Sequence, residues 1–384
     1  MRRADPLLEW FDRHRRDLPW RRTSDPYRIW LSEVMLQQTR VETVLPFYNR
    51  FLEKFPTVED LAGADLEEVL TLWSGLGYYR RARQLHAAAR QIAEAGELPS
   101  TLEGLRRLPG IGDYTAAAVA SIAFGVAAPV LDGNVERVIS RVLALDEDPR
   151  SSGAKRKILA AAADLLDPRR PGDSNQALME LGATLCTPRR PRCLLCPLLP
   201  ICKAAKEGDP ERYPVPKAKR EAERHRLLVA VVENGQGVLL FRRPDDSSLL
   251  AGTWELPWVG LERDGVAAEE PPEAALAARY GGVWTLGSRA AGVRHGITHR
   301  DIEVDVHRAD LRWGGEVRDG MAAGWFDEEG RAGLPLSSLV GKVLRSLPPL
   351  PVREGGRGRE RGAGGEGSTP AAAAPARRSR THRR

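Results

Sequence analysis

A helical region of about 200 residues followed by a smaller α+β domain is the architecture that this 384-residue sequence predicts. Three observations carry it. Up to about residue 204, Leu, Ala, Glu and Arg recur at helical spacing, and Pro or Gly punctuates the segments, as in "KFPT", "GELPS" and "RLPGIGD". "EGDPERYPVPKAKREAERHR" then brings three prolines and a dense charge run, which reads as a linker over 205–223. Beyond it, "RLLVAVVENGQGVLLFRR" alternates apolar and polar residues on both sides of an Asn-Gly turn, a hairpin pattern, and "DIEVDVHRADL" alternates again.

The composition bounds the rest. The formal net charge is +6, but residues 353–384 hold nine arginines against three glutamates, so the first 352 residues balance. That tail has no large apolar residue after Val352 and is expected to be a disordered basic segment, 353–384. With no apolar run of membrane-spanning length and an amino terminus that mixes charged and apolar residues, the expected compartment is the cytoplasm, with no membrane partner.

Along the helical region, "RIWLSEVMLQQT" (28–39) sets Glu33 among large apolar side chains. Asp25 and Pro26 form a cap and a first-turn proline, so a helix starts near Tyr27 and places Ile29, Trp30, Leu36 and Gln37 beside Glu33. A glutamate is ordinarily solvated. Here a stripe of Tyr27, Trp30, Leu31, Val34 and Met35, with Ile29 and Leu36 opposite, leaves little water-facing surface. A carboxyl buried in this way keeps its proton and can serve as a general acid.

"LRRLPGIGDYTAAAVASIAF" reads as a helix end, a Pro-Gly-x-Gly turn and a second helix from about Tyr114, a hairpin over about 105–125. Gly110 and Gly112 let backbone approach a phosphate at a helix start. In "PVLDGNVERVISRVLAL", Asp132 precedes a helix and is a favoured cap. The same geometry is expected to hold its carboxylate ionised. One protonated and one anionic carboxyl are the pair that glycosidic cleavage uses.

Cys186, Cys193, Cys196 and Cys202 follow a C-x6-C-x2-C-x5-C spacing, too clustered for a disulfide framework. Four thiolates can ligate a cubane iron–sulfur cluster or a structural zinc, and the chemistry alone leaves both open. The insert between the first two cysteines carries Arg189, Arg190 and Arg192.

Taken in order, "LPWR", "SEVMLQQT", "WSGLGYY", "LPGIGDYTA", "LDGN" and the cysteine spacing resemble the helix-hairpin-helix DNA glycosylases, and within them the MutY-type adenine DNA glycosylases, over residues 5 to about 345. The resemblance implies an all-α glycosylase domain at 1–204 with a [4Fe-4S] cluster loop at 186–202, then an α+β Nudix-like domain at 224–345. It implies excision of adenine mispaired with 8-oxoguanine or guanine in double-stranded DNA, by a monomer whose target base leaves the stack. In that family the glutamate at Glu33 protonates adenine N7. The aspartate at Asp132 stabilises or transiently bonds the sugar cation, supported by Asn134 and Tyr114. Arg21, Leu36 and Gln176 would bind adenine, and Gln38 and Tyr78 would wedge into the stack.

Position 114 separates readings. Endonuclease III-type lyases carry a Schiff-base lysine there, and this chain has Tyr114, with Glu136 where some relatives have a second lysine. A monofunctional enzyme follows. The alternatives are an endonuclease III-like lyase, a non-catalytic DNA-binding iron–sulfur protein and a nucleotide hydrolase. Aligning Gly260, Leu276 and Gly281 with a Nudix box puts Val266, Ala275, Ala278 and Arg279 at the carboxylate positions, which argues against the last. The family's Phe-Ser-His loop, which meets 8-oxoguanine, corresponds to Ile297, Thr298 and His299.

Overall fold

The computed structural model describes residues 4–215, 222–247, 249–297, 299–312 and 321–348. The expected tail, part of the linker and Thr298 lie outside them.

The helical region comprises α1 (Asp5–His14), α2 (Pro26–Leu36), α3 (Val41–Lys54), α4 (Val58–Gly63), α5 (Leu66–Leu72), α6 (Tyr79–Ala95), α7 (Leu102–Arg106), α8 (Asp113–Phe124), α9 (Gly133–Leu143), α10 (Ser152–Asp164), α11 (Pro171–Thr184) and α12 (Lys203–Lys206). Local chemistry sets the ends that matter. Asp25 accepts hydrogen bonds from the amides of Tyr27 and Arg28, so α2 begins at Pro26, the first-turn proline that follows its cap. Asp132 caps α9 in the same way, through the amides of Asn134 and Val135.

Two apolar cores share these helices. One is built on Trp30, Tyr48, Phe51 and Trp73, the other on Leu7, Phe11, Val135, Ile139 and Leu178. Helix α8 belongs to both. Ala116, Val119 and Ala120 face the first core and Ala117 and Ala118 the second, which explains why "TAAAVASIAF" is apolar on every side. The start of α8 therefore lies in the seam between two lobes, with α2 on one side and α9 and α11 on the other.

The α+β part holds two sheets. In the first, β1 (Glu223–Val231) runs parallel to β8 (Arg300–Arg312) and antiparallel to β5 (Trp258–Arg263); β6 (Val266–Ala267) and β7 (Val283–Ile297) complete the order β6-β5-β1-β8-β7. The second contains β2 (Glu233–Asn234), β3 (Gly237–Arg242), β4 (Trp254–Glu255) and β9 (Ala322–Phe326). The hairpin expected around Asn-Gly is shorter than the sequence pattern suggests. Asn234 pairs with Gly237, so Gly235 and Gln236 make the turn, and the chain from β1 passes to the other sheet at Val232. Helices α13 (Pro272–Tyr280), α14 (Glu328–Ala332) and α15 (Ser338–Ser346) complete the described part.

The two parts meet through side chains of the helical region that reach the α+β part, mostly its backbone. Ser74 Oγ donates to Leu336 O at 3.3 Å and accepts from Leu336 N at 3.3 Å, while the Tyr79 hydroxyl donates to the same carbonyl at 2.5 Å. Arg83 adds an ion pair to Asp245 at 2.9 Å and a bond to Ala251 O.

Candidate active site between the helical lobes

Glu33 is 5% exposed, on the face of α2 that meets the seam. The Tyr114 hydroxyl, at the start of α8, donates to Glu33 Oε2 at 2.7 Å and also lies 3.2 Å from Met179 Sδ on α11. Burial pushes the Glu33 carboxyl up to about 7; the Tyr114 bond opposes the rise and the nearby Asp132 charge adds to it. Burial also raises Tyr114 well above its ordinary range, so the phenol stays a donor.

Asp132 Oδ1 accepts from Asn134 N at 3.0 Å and Val135 N at 2.7 Å, and Oδ2 from Asn134 Nδ2 at 2.9 Å. These helix-end bonds favour the ionised form of Asp132. Burial outweighs those bonds, and Asp132 is raised above its ordinary value. The two carboxyls still differ in kind, because Glu33 accepts one hydroxyl bond whereas Asp132 accepts three N–H bonds and faces Arg137.

Asn134 is also held from behind. Arg137 Nη2 donates to Asn134 Oδ1 and Gly182 O, both at 2.9 Å, and Arg137 Nε to Cys186 O at 2.8 Å. A Cβ at Gly182 would stand 2.6 Å from the Asn134 Cβ, so only glycine lets α11 come this close.

Arg21 and Gln176 converge as expected, with Arg21 Nε donating to Gln176 Oε1 at 3.2 Å. The residue that fixes them is one the sequence reading missed, Glu180. Its side chain is 1% exposed and pairs with Arg21 at 2.9 Å and Arg16 at 2.8 Å. Burial alone would raise Glu180, but the two guanidiniums hold it near 2. In the sequence it is a single glutamate one turn after Gln176, in the apolar stretch "ALMELGA", and its partners lie more than 150 residues away. Leu36 is half-buried at the end of α2.

Gln38 and Tyr78 are exposed at the surface, and both adopt left-handed backbone, at φ 57° and 52°. In the α7–α8 hairpin Gly110 has φ 78°, a conformation that disfavours a side chain, whereas Gly112 is extended and caps α8.

The four cysteines line one small cavity with Arg141, whose Nη1 donates to Cys186 Sγ at 3.3 Å. Burial pushes the Cys196 thiol up to about 12 and raises Cys193 and Cys202. Such a sulfur-only, partly buried donor set with a cation beside it fits a thiolate-ligated group. Among the described residues, no three such donors gather tightly around a single ion. Arg189, Arg190 and Arg192 are exposed.

In the second domain, His299 Nε2 bonds Glu223 Oε1 at 3.0 Å, and Ile297 packs on the sheet core. Arg279 occupies one of the positions that the sequence alignment sets against a Nudix carboxylate. It stacks 3.9 Å over the Trp258 ring and pairs with Glu255, which Arg243 also binds.

Comparison with known proteins supports the two-part fold. The family described as HhH-GPD superfamily base excision DNA repair protein matches residues 31–162, and the NUDIX domain matches 228–346. The adenine DNA glycosylase of Rattus norvegicus is 43% identical over 67% of this chain and 60% of its own length. That of Homo sapiens is 41% identical over 67% and 57%. The adenine DNA glycosylase of Schizosaccharomyces pombe is 36% identical over 66% of this chain and 68% of its own. The chain thus spans about three fifths of the rat and human relatives.

Proposed function

From the premise that this chain belongs to the adenine DNA glycosylase family, we propose that it hydrolyses the N-glycosidic bond of adenine mispaired with 8-oxoguanine or guanine in double-stranded DNA. The observation that carries the proposal is the buried Glu33 with its 2.7 Å bond from Tyr114 and a pKa near neutrality. An acid with that value is half-protonated where it must act, which is where general acid catalysis is most effective.

Glu33 gives its proton to N7 of an extruded adenine held by Arg21, Leu36 and Gln176. The leaving base departs neutral, and positive charge develops on the sugar. Asp132 meets that charge as an anion, its ionised form supported by the amides of Asn134 and Val135 and the Asn134 side chain. Glu33, now a carboxylate, takes a proton from the water that completes hydrolysis. Tyr114 orients Glu33 and supplies no amine, so the enzyme is monofunctional and leaves an abasic site.

Gln38 and Tyr78 fill the stack, and the Gly110–Gly112 turn meets phosphate. The glycosylase region spans 1–204, 205–223 is the linker, and 224–345 reads 8-oxoguanine through Thr298 and His299. Cys186, Cys193, Cys196 and Cys202 hold a [4Fe-4S] cluster, a redox-capable cross-link that would steady the loop bearing Arg189, Arg190 and Arg192.

Single-turnover assays on A:8-oxoguanine, A:G and oxidised-pyrimidine duplexes test this reading. Adenine release without a borohydride-trapped adduct is expected. Pyrimidine release with trapping would replace the proposal by the lyase, and binding without any release would replace it by a scaffold.

A further inference from the structure

Arg81 is 8% exposed, yet its six hydrogen-bond acceptors are all neutral oxygens. Nη1 reaches Val34 O at 3.0 Å, Met35 O at 2.8 Å and Gln37 O at 2.5 Å, where α2 ends. Nη2 reaches Thr39 Oγ1 at 3.1 Å, Leu76 O at 3.4 Å and Gly77 O at 3.2 Å, and Nε has no partner. The guanidinium also lies 5.4 Å from the centre of the Trp73 ring and 5.2 Å from that of Tyr78.

The acceptors fall into two segments that are distant in sequence. One follows the last turn of α2 and leads to Gln38; the other is the glycine loop 74–77, with Gly75 at φ 98° and Gly77 at φ 76°, which leads to Tyr78. Each segment turns left-handed at the residue it presents outward. Left alone, the carbonyls of a helix end and a glycine-rich loop would be satisfied by water and would fluctuate. A planar fork of fixed geometry holds both at once, and a cation at a helix carboxyl end is electrostatically favoured.

We infer that Arg81 is a positioning residue that sets Gln38 and Tyr78 at a fixed spacing, so that the two enter the DNA stack as one rigid pair. The inference rests on the reading of those two residues as wedges. Burying a guanidinium without a carboxylate is costly, since desolvation lowers its pKa to about 10. The bonds to both segments offset that cost and keep them together.

The test uses the full chain and two duplexes. In one, the target adenine faces 8-oxoguanine and has 2-aminopurine as its neighbour, whose fluorescence rises on unstacking. In the other, the adenine faces a gap and is already poorly stacked. Arg81→Met should reduce both the fluorescence rise and adenine release on the paired duplex by about 10²-fold, the scale on which an ångström of misplacement acts, and affect the gapped duplex far less. A wild-type fluorescence rise overturns the inference, as does an equal loss on both duplexes, which is what a loosened fold alone would give. If Arg81→Met does not fold, Arg81→Lys carries the same comparison, because lysine keeps the charge without the fork. Gln38→Ala and Tyr78→Ala separate the two levels. If neither changes the fluorescence, the wedge reading fails and takes the inference with it; if both do and Arg81→Met does not, only the role of Arg81 falls.

Discussion

Replacing Glu33 with glutamine should stabilise the protein at pH 8 while abolishing base release. Glu33 is 5% exposed, and burial moves its pKa from 4.5 to about 7. Below pH 4.5 the carboxyl is neutral in both the folded and the unfolded chain, so it imposes no penalty. Between 4.5 and 7 the unfolded chain sheds the proton while the folded one keeps it, and stability falls as pH rises. Above 7 the folded chain must hold a buried anion, and the loss is complete at about 3 kcal/mol. Glutamine cannot ionise, and its carbonyl oxygen can still accept the Tyr114 O–H. Urea unfolding of wild type and Glu33→Gln, followed by tryptophan fluorescence at pH 5 and pH 8, isolates this effect because other titrating groups cancel in the difference. The variant's advantage should grow by about 2.5 kcal/mol between the two, because at pH 5 part of the loss has already occurred. Parallel pH dependence of the two proteins would refute the reasoning, since it would mean that Glu33 titrates as an ordinary solvated carboxylate.

Tyr114→Phe removes the bond that lowers the Glu33 pKa, so the alkaline limb of the rate profile should move to higher pH while the maximal rate falls about tenfold; an unmoved limb would disconnect Tyr114 from the acid. Glu180→Gln leaves Arg21 and Arg16 without their buried carboxylate and should cost about 3 kcal/mol of stability. It should also weaken binding to a duplex carrying a non-hydrolysable adenine analogue, measured by titration, and unchanged affinity would remove Glu180 from the base pocket. The double variant Ser74→Ala/Tyr79→Phe cuts side-chain bonds to Leu336. It should reduce the preference for A:8-oxoguanine over A:G by about tenfold in single-turnover assays, and equal losses on both substrates would contradict that coupling.

Legibility in the sequence followed the range of the physics. The cap of α2, the apolar surround of Glu33 and the cap at Asp132 all depend on neighbours within a few residues, and the structure matches them. The pKa of Asp132 did not follow from its cap, because burial opposes the helix end and wins. Glu180 and Arg81 were invisible for a related reason. A buried charge is recognised by its partners, and theirs lie across the fold: Arg16 and Arg21 for one, the ends of α2 and a glycine loop for the other. Alternation in "RLLVAVVENGQGVLLFRR" located the strands, but period-two patterning says nothing about which sheet each joins, so the split at Val232 went unseen.

The pH dependence of single-turnover adenine release from an A:8-oxoguanine duplex tests the role of Glu33 most directly. The account predicts a wild-type rate that declines about tenfold per pH unit above about 7, as the proton on Glu33 is lost, with no release by Glu33→Gln at any pH. A rate that rises through pH 7, or a Glu33→Gln variant as fast as wild type, would contradict it.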